Sequence, residues 1–209
     1  MYFSLRDIEN FEQRYRGRLI NCLSGVKSAN LIGTIDKNKQ TNLAIVSSVV
    51  HLGANPALIG FVQRPTSVER HTYENILTQK EYTINAVTSA ISNKAHQTAA
   101  RYPKSVSEFE AVGLTAEFHS TCAAPFVKES PLKLHIKLEE ILPISLNQTK
   151  FIIGSIQGIF LPDAVLLPDG HLALEKLNLT GVLGLDTYVS LQKEARYSYA
   201  KPDQPLKTL

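Results

Sequence analysis

The chain has only two cysteines in 209 residues. Cys22 and Cys122 form no Cys-x-x-Cys pair and have no histidine at metal-ligand spacing, so neither a disulfide framework nor a metal site is expected. Such sparing use of cysteine fits a reducing cytoplasm. There is also no basic block. The net charge is +3 and the pI about 8.8, but Lys and Arg are scattered among Asp and Glu, which argues against a nucleic-acid partner. No apolar run approaches membrane-spanning length, and the opening residues MYFSLRDIENFEQRYRGR alternate charged with apolar positions. A soluble protein that is neither exported nor bound to a membrane is expected. Four familiar signatures are missing as well: GxGxxG after a strand, GxxxxGK[ST], GxSxG and HExxH. The six histidines (His51, His71, His96, His119, His135 and His171) never pair at i,i+3 or i,i+4. Dinucleotide-fold, P-loop, serine-hydrolase and zinc-peptidase chemistries therefore lose their anchors.

What is present is enough apolar sequence, 44% of residues, for one sizeable core, and residues 1–209 read as a single domain. Ser4 followed by Asp7 resembles a helix N-cap, and Leu5, Ile8, Phe11 and Tyr15 recur at helical spacing, predicting one leading helix over about 4–24. SANLIGTID and TNLAIVSSVVHL, joined by the polar DKNKQ, read as a hairpin, and ALIGFVQ after Asn55-Pro56 as a third strand. A helix follows over 67–78, then a half-buried strand over 81–87. Residues 90–100 and 105–112 read as an excursion of two short helices, the second opened by a Ser105–Glu108 capping box and ended by Gly113. Two long strands, 132–144 and 150–160, flank an Asn-Gln-Thr turn, the second apolar on both faces. The tail from Arg196 reads as coil. Strands joined by hairpins without βαβ alternation point to an α+β, mainly β fold, an antiparallel barrel or sandwich with peripheral helices.

One stretch, Thr41 to Ile76, concentrates the chemistry. Asn42, Ser47 and Ser48 place an amide and two hydroxyls on strand positions where backbone N–H groups stay approachable. Further on, Arg70 and Thr72 offer a guanidinium and a hydroxyl, a combination suited to a phosphate. A planar ligand with a phosphate tail would use both halves. Each residue also has a structural reading: strand hydroxyls bonded to neighbours, a surface arginine, a helix-entry threonine, and Asn75 and Asn85 as backbone anchors.

The order TNLAIVSS, NPALIGFVQRP, ERHTYENI, EYTINAV, followed by SEFEAVGLT and APFVKES, resembles the flavin reductase-like, FMN-binding split-barrel family, which includes flavoredoxins and reductase components of two-component monooxygenases. The resemblance spans roughly residues 20–160 and implies a six-stranded antiparallel split barrel that forms a homodimer with FMN in a groove at the interface. It implies that Asn42, Leu43, Ala44, Ser47 and Ser48 face the isoalloxazine and ribityl chain, with Arg64, Arg70, His71 and Thr72 near the phosphate. It further implies an oxidoreductase passing electrons from NAD(P)H through FMN to a monooxygenase or other acceptor. The family's Gly-Asp-His before a late strand, associated with the nicotinamide side, is replaced here by Asn147-Gln148-Thr149. His96, from the excursion, is the alternative imidazole. A flavin-binding protein without catalysis is the competing reading. No acid–base residue is singled out, because hydride transfer requires none.

Overall fold

The computed structural model describes residues 1–209. In chain order the elements are α1 (Leu5–Asn10), α2 (Gln13–Cys22), β1 (Lys27–Ser28), β2 (Asn30–Ile35), β3 (Thr41–Val46), β4 (Val50–Ala54), β5 (Ala57–Gln63), α3 (His71–Gln79), β6 (Glu81–Ala86), α4 (Ser92–Gln97), α5 (Glu108–Val112), β7 (Ala116–His119), β8 (Cys122–Val127), β9 (Lys133–Ile144), β10 (Thr149–Phe160), β11 (Thr180–Leu183) and β12 (Thr187–Ser190). Every strand pairing is antiparallel, and the fold is mainly β with short helices.

The main sheet has seven strands, not six, in the order β3-β2-β6-β9-β10-β5-β4, and it does not close into a barrel. The difference originates in TNLAIVSSVVHL, which is not one strand. Ser47, Ser48 and Val49 interrupt it, and the two halves lie on opposite edges of the sheet. Three linking residues span at most roughly 14 Å from Val46 to Val50, so the sheet must curl until its edges nearly meet. The Ser48 hydroxyl accepts from Val62 N–H at 3.0 Å and lies 3.4 Å from Val62 C=O, tying the crossing to β5. No ladder joins β3 to β4 or β5, and the seam stays open.

Strand alternation sorts the apolar side chains into two cores. Ile32, Ile84, Phe61, Tyr82, Ile136 and Ile152 share one with Ile76 of α3. Leu31, Leu43, Val87, Phe109, Val127 and Val182 share the other, which links the main sheet to α5, β8 and the small β1-β11-β12 sheet. Each such fully buried side chain contributes roughly 1.5–3 kcal/mol relative to exposure. The β7-β8 hairpin crosses directly over β2, where a Cβ on Gly33 would sit 2.2 Å from the Pro125 carbonyl oxygen; only glycine admits that approach. A polar spine completes the packing. Asn85 donates to Leu31 C=O and accepts from Val127 N–H, and Thr83 donates to Pro125 C=O.

Several expected elements take a different form. The leading helix breaks at Phe11, whose extended backbone lets Glu12 cap α2 through Arg14 and Tyr15 N–H; the Ser4–Asp7 capping box does form. The third helix starts at His71, not Ser67. Strand β6 is buried on both faces because β8 covers its second side, whereas β10 is only half-buried. The helix over 90–100 is reduced to Ser92–Gln97 after a short 3-10 turn. The Ser105–Glu108 capping box is not made: α5 begins at Glu108, and only its end at Gly113, with φ +69°, matches the expectation. Asn75 bonds the Thr34 hydroxyl rather than backbone. Strands β1, β7, β8, β11 and β12 were not anticipated. The tail from Arg196 is coil with two isolated bridges.

Glu108 instead covers a sheet edge. As an edge strand, β3 presents unpaired N–H groups: Leu43 N–H donates to Glu108 Oε2 at 2.9 Å and Ile45 N–H to Thr98 Oγ1 at 3.0 Å. Burial holds the Glu108 carboxyl above the usual carboxylate range, opposed by the hydrogen bonds it accepts and by nearby His71. A raised folded-state pKa makes a stabilising contribution below the unfolded-state value that is lost as pH rises through the folded-state value. Glu108→Gln keeps an acceptor and removes the titration, so its stability relative to wild type should increase from about pH 4 to about pH 7 in urea unfolding. Glu108→Ala, which strands the Leu43 N–H, should cost about 1–3 kcal/mol at either pH.

Candidate functional site

The open seam forms the floor of a cavity of about 920 Å³. Strand β3, the Ser47–Ser48 crossing and the end of β5 supply the floor. The segment 64–70 and the start of α3 form one rim, the 96–102 segment and Glu108 a second, and the β11-β12 hairpin the far wall.

Nine of the ten sequence candidates line it: Asn42, Ala44, Ser47, Ser48, Arg64, Arg70, His71, Thr72 and His96. Leu43 does not. Side chains alternate along β3, so with Asn42 and Ala44 toward the cavity, Leu43 must turn into the core, where it is fully buried. Only its N–H matters here, through Glu108.

The polar candidates are not equally free. Asn42 Nδ2 donates to Thr72 Oγ1 at 2.9 Å and lies 3.3 Å from Thr34 Oγ1, while Asn75 Nδ2 donates to Thr34 Oγ1 at 3.1 Å. This buried chain pins α3 to the sheet and leaves Thr72 its O–H to donate. The Ser48 hydroxyl is committed to Val62. Ser47 makes no side-chain hydrogen bond within the protein and is the free hydroxyl of the pair.

The rim is electropositive. Arg70, the N-cap of α3, has a guanidinium anchored by Nε donation to Pro65 C=O at 3.2 Å. Burial, and then the neighbouring Arg64 and Arg101 guanidiniums, hold Arg70 below the usual arginine range. None of these three arginines forms an ion pair. The adjacent carboxylates are engaged elsewhere: Glu74 with Lys104 at 3.1 Å, and Glu69 lying 3.8 Å from His71 Nε2. Three cations facing one space, none of them in an ion pair with the Glu69, Glu108 or Asp186 that also line it, form a site for a negatively charged group.

On the opposite side, His96 Nδ1 lies 3.0 Å from the Tyr188 hydroxyl, their rings edge to face at 5.6 Å. Burial, and then Asp186, push the Tyr188 phenol up. Sequence reading missed Arg101, Glu108 and Tyr188. The pairing of an arginine with the following aromatic, Arg101-Tyr102, was the only local signal for the first. Nothing in the sequence places Tyr188, which arrives from beyond the long hairpin. The Asn147-Gln148-Thr149 turn lies outside the cavity, the Asn147 side-chain Oδ1 accepting from Thr149 N–H and hydroxyl.

Comparison with known proteins agrees with this architecture. Residues 24–172 match the model of the flavin reductase like domain. A split barrel domain protein of Shewanella frigidimarina, named as a candidate flavin reductase, superposes with a TM-score of 0.92 at 50% identity, over 96% of this chain and 100% of that one. Component B of nitrilotriacetate monooxygenase from Bacillus cereus shares the fold with a TM-score of 0.82 at 20% identity, over 94% and 98% of the two chains. So does an FMN-binding protein from Thermus thermophilus, with a TM-score of 0.70 at 14% identity over 86% and 93%. With most of its length matched and the seam, cavity and cationic rim in place, the chain belongs to the flavin reductase-like domain family.

Proposed function

We propose that the cavity binds FMN and that the protein is an NAD(P)H-dependent flavin reductase delivering electrons to a separate acceptor. The observation that carries this reading is the trio Arg64, Arg70 and Arg101, unpaired and mutually repelling at the rim of a space within the ~300–1,000 Å³ typical of ligand sites. A dianionic phosphate satisfies three guanidiniums that no carboxylate of this chain reaches, and a cofactor site without a glycine-rich loop must neutralise its phosphate with side chains.

Bound FMN would supply hydride acceptance and onward electron transfer. The residues do the rest. Arg70, held by Pro65, would orient the phosphate; His71 and the free donor of Thr72 flank it. Asn42, Ala44 and Ser47 would form the surface beneath the ring system, with Ser47 offering the uncommitted hydroxyl. Ser48 would act indirectly, by fixing the crossing. His96 and Tyr188 would face the reacting side, presenting a linked imidazole and phenol that can hold or exchange a proton at the edge of the site. A monooxygenase component among the proteins that share this fold supports an oxygenase as one class of acceptor.

The competing reading, an FMN-binding protein without turnover, is favoured by the position of the Asn147-Gln148-Thr149 turn outside the cavity. A homodimer is also proposed. Edge strand β4 leaves Val50 and Leu52 exposed, and the turn of the β9-β10 hairpin leaves Ile144 and Leu146 exposed; a two-fold partner would cover such surfaces.

Three outcomes are expected. Arg70→Ala and Arg101→Ala should each weaken FMN binding by about 2 kcal/mol in fluorescence titration; unchanged affinity in both would remove the phosphate assignment. Anaerobic stopped-flow mixing of FMN-loaded protein with NADH or NADPH should bleach the flavin on the order of 1–10³ s⁻¹, whereas a persistent spectrum with both would establish the non-catalytic alternative. Light scattering at micromolar concentration should return twice the chain mass.

A further inference from the structure

Away from the cavity, three potential ligands from three strands converge beneath the β7-β8 hairpin. Glu81 opens β6, His135 lies in β9 and Cys122 opens β8. The β6–β9 register pairs Glu81 with Lys137 and Thr83 with His135, so Glu81 and His135 are diagonal neighbours on one sheet face, the face that β8 crosses. Their ligand atoms and the Cys122 sulfur all lie within 4.8 Å of one another. His135 is nine-tenths buried, and its Nε2 has no hydrogen-bond partner. The Glu81 carboxylate faces it at 3.8 Å, too far for a hydrogen bond, while the other carboxylate oxygen accepts from Ala123 N–H at 3.3 Å. An orphaned imidazole aimed at a carboxylate and a thiol needs a partner.

We propose that Glu81, Cys122 and His135 bind one borderline divalent transition-metal ion, zinc by the chemistry of its donors, as a clip that fastens the β7-β8 hairpin to the main sheet. One sulfur, one imidazole nitrogen and one carboxylate oxygen form a donor set that zinc accepts, with bonds of about 2.0–2.3 Å. Tetrahedral ligand atoms at those lengths stand roughly 3.5 Å apart, so the triangle need contract by only about an ångström. On binding, the Cys122 S–H bond breaks, the proton leaves to solvent and a metal–sulfur bond forms, with no change of oxidation state. Glu81 is partly exposed, so the fourth position opens to water. Ala123 N–H orients the carboxylate from behind, as outer-sphere donors do in metal sites. His119 stands across the hairpin turn from Cys122, with its ring stacked on Phe160 and its Nε2 3.4 Å from Glu117 without a hydrogen bond; it lies outside the three-residue cluster and is not counted among the ligands. The expectation of no metal rested on spacing along the chain; these ligands meet across strands.

The test uses the full chain, stripped with a chelator, desalted and titrated with Zn²⁺ or Co²⁺. The expected results are one Zn²⁺ retained per chain by elemental analysis, a thiolate-to-cobalt charge-transfer band in difference spectra against metal-free protein, and a melting temperature that rises with Zn²⁺. Cys122→Ser should abolish the band. Glu81→Gln, at a partly exposed position where misfolding is not at issue, should weaken Zn²⁺ binding roughly tenfold or more. Cys22→Ser should change nothing. Substoichiometric Zn²⁺, or uptake that Glu81→Gln leaves unchanged, would overturn the proposal. None of these readouts involves flavin, so their failure would leave the reading of the cavity untouched.

Discussion

The crossing from β3 to β4 in three residues is the constraint on which the rest depends. It carries the chain from one edge of a seven-stranded sheet to the other, which requires the sheet to curl, and it leaves between the edges a seam that no ladder closes. The Ser48 hydroxyl bridging to Val62 ties this crossing to β5. With the seam open, backbone and small polar groups of β3 face a cavity instead of a neighbouring strand. Part of the edge so exposed is capped by Glu108 and Thr98, which take N–H groups a partner strand would have taken. The short helices of the excursion thus serve both the edge and the cavity: they satisfy the backbone of β3 and bring Arg101, Glu108 and His96 to the rim.

The electrostatics of the rim follow from that arrangement. Arg70 sits at the start of α3 with its guanidinium anchored on Pro65, and Arg64 follows β5 directly and is near enough to lower the Arg70 pKa by charge repulsion. Arg101 closes the group from the excursion. Holding like charges together costs folding free energy, the more so where one is partly desolvated. An anion bound there, as proposed, would return that cost as binding energy, so a ligand carrying a phosphate would stabilise the fold by linkage as well as by contact. Glu108, buried beside His71, lies beneath the same cluster and gives it a nearby negative charge only when ionised.

How much of this was legible in the sequence depends on how local each signal is. The Asn55-Pro56 turn and the long β9-β10 hairpin follow from turn chemistry and periodicity over a few residues and stand where expected, whereas the helix expected from residue 67 opens only at His71. Nine cavity-lining side chains were reachable because most of them belong to two neighbouring segments. Leu43 was misplaced by reading Asn42, Leu43 and Ala44 as a contiguous group, where the two-residue period of a strand already sends the middle one to the opposite face. The break after Val46 was not legible: IVSSVV is as good a strand as any, and only the long-range pairing of β4 with β5 and of β3 with β2 pulls its halves apart. The same limit hid the Glu81, Cys122 and His135 cluster, since register between distant strands has no signature along the chain.

The cavity is built from parts of unequal reach. Its floor and arginine rim come from residues 24–172, the portion shared with the flavin reductase like domain. Asn21, Val182, Leu185, Asp186 and Tyr188 lie outside that portion. The hairpin that carries the last four is paired to the body through β1 and the bridge between Thr88 and Leu179, not through any strand of the main sheet. No ladder of the main sheet runs through this wall, but it is tied to the seam by packing, because Val182 lies in the same core as Leu43 of β3. His96 couples the two, reaching from the excursion to Tyr188. The groups proposed to grip an anionic ligand and the wall on its far side therefore belong to different pieces of structure, joined through the core at Val182 and across the cavity by His96.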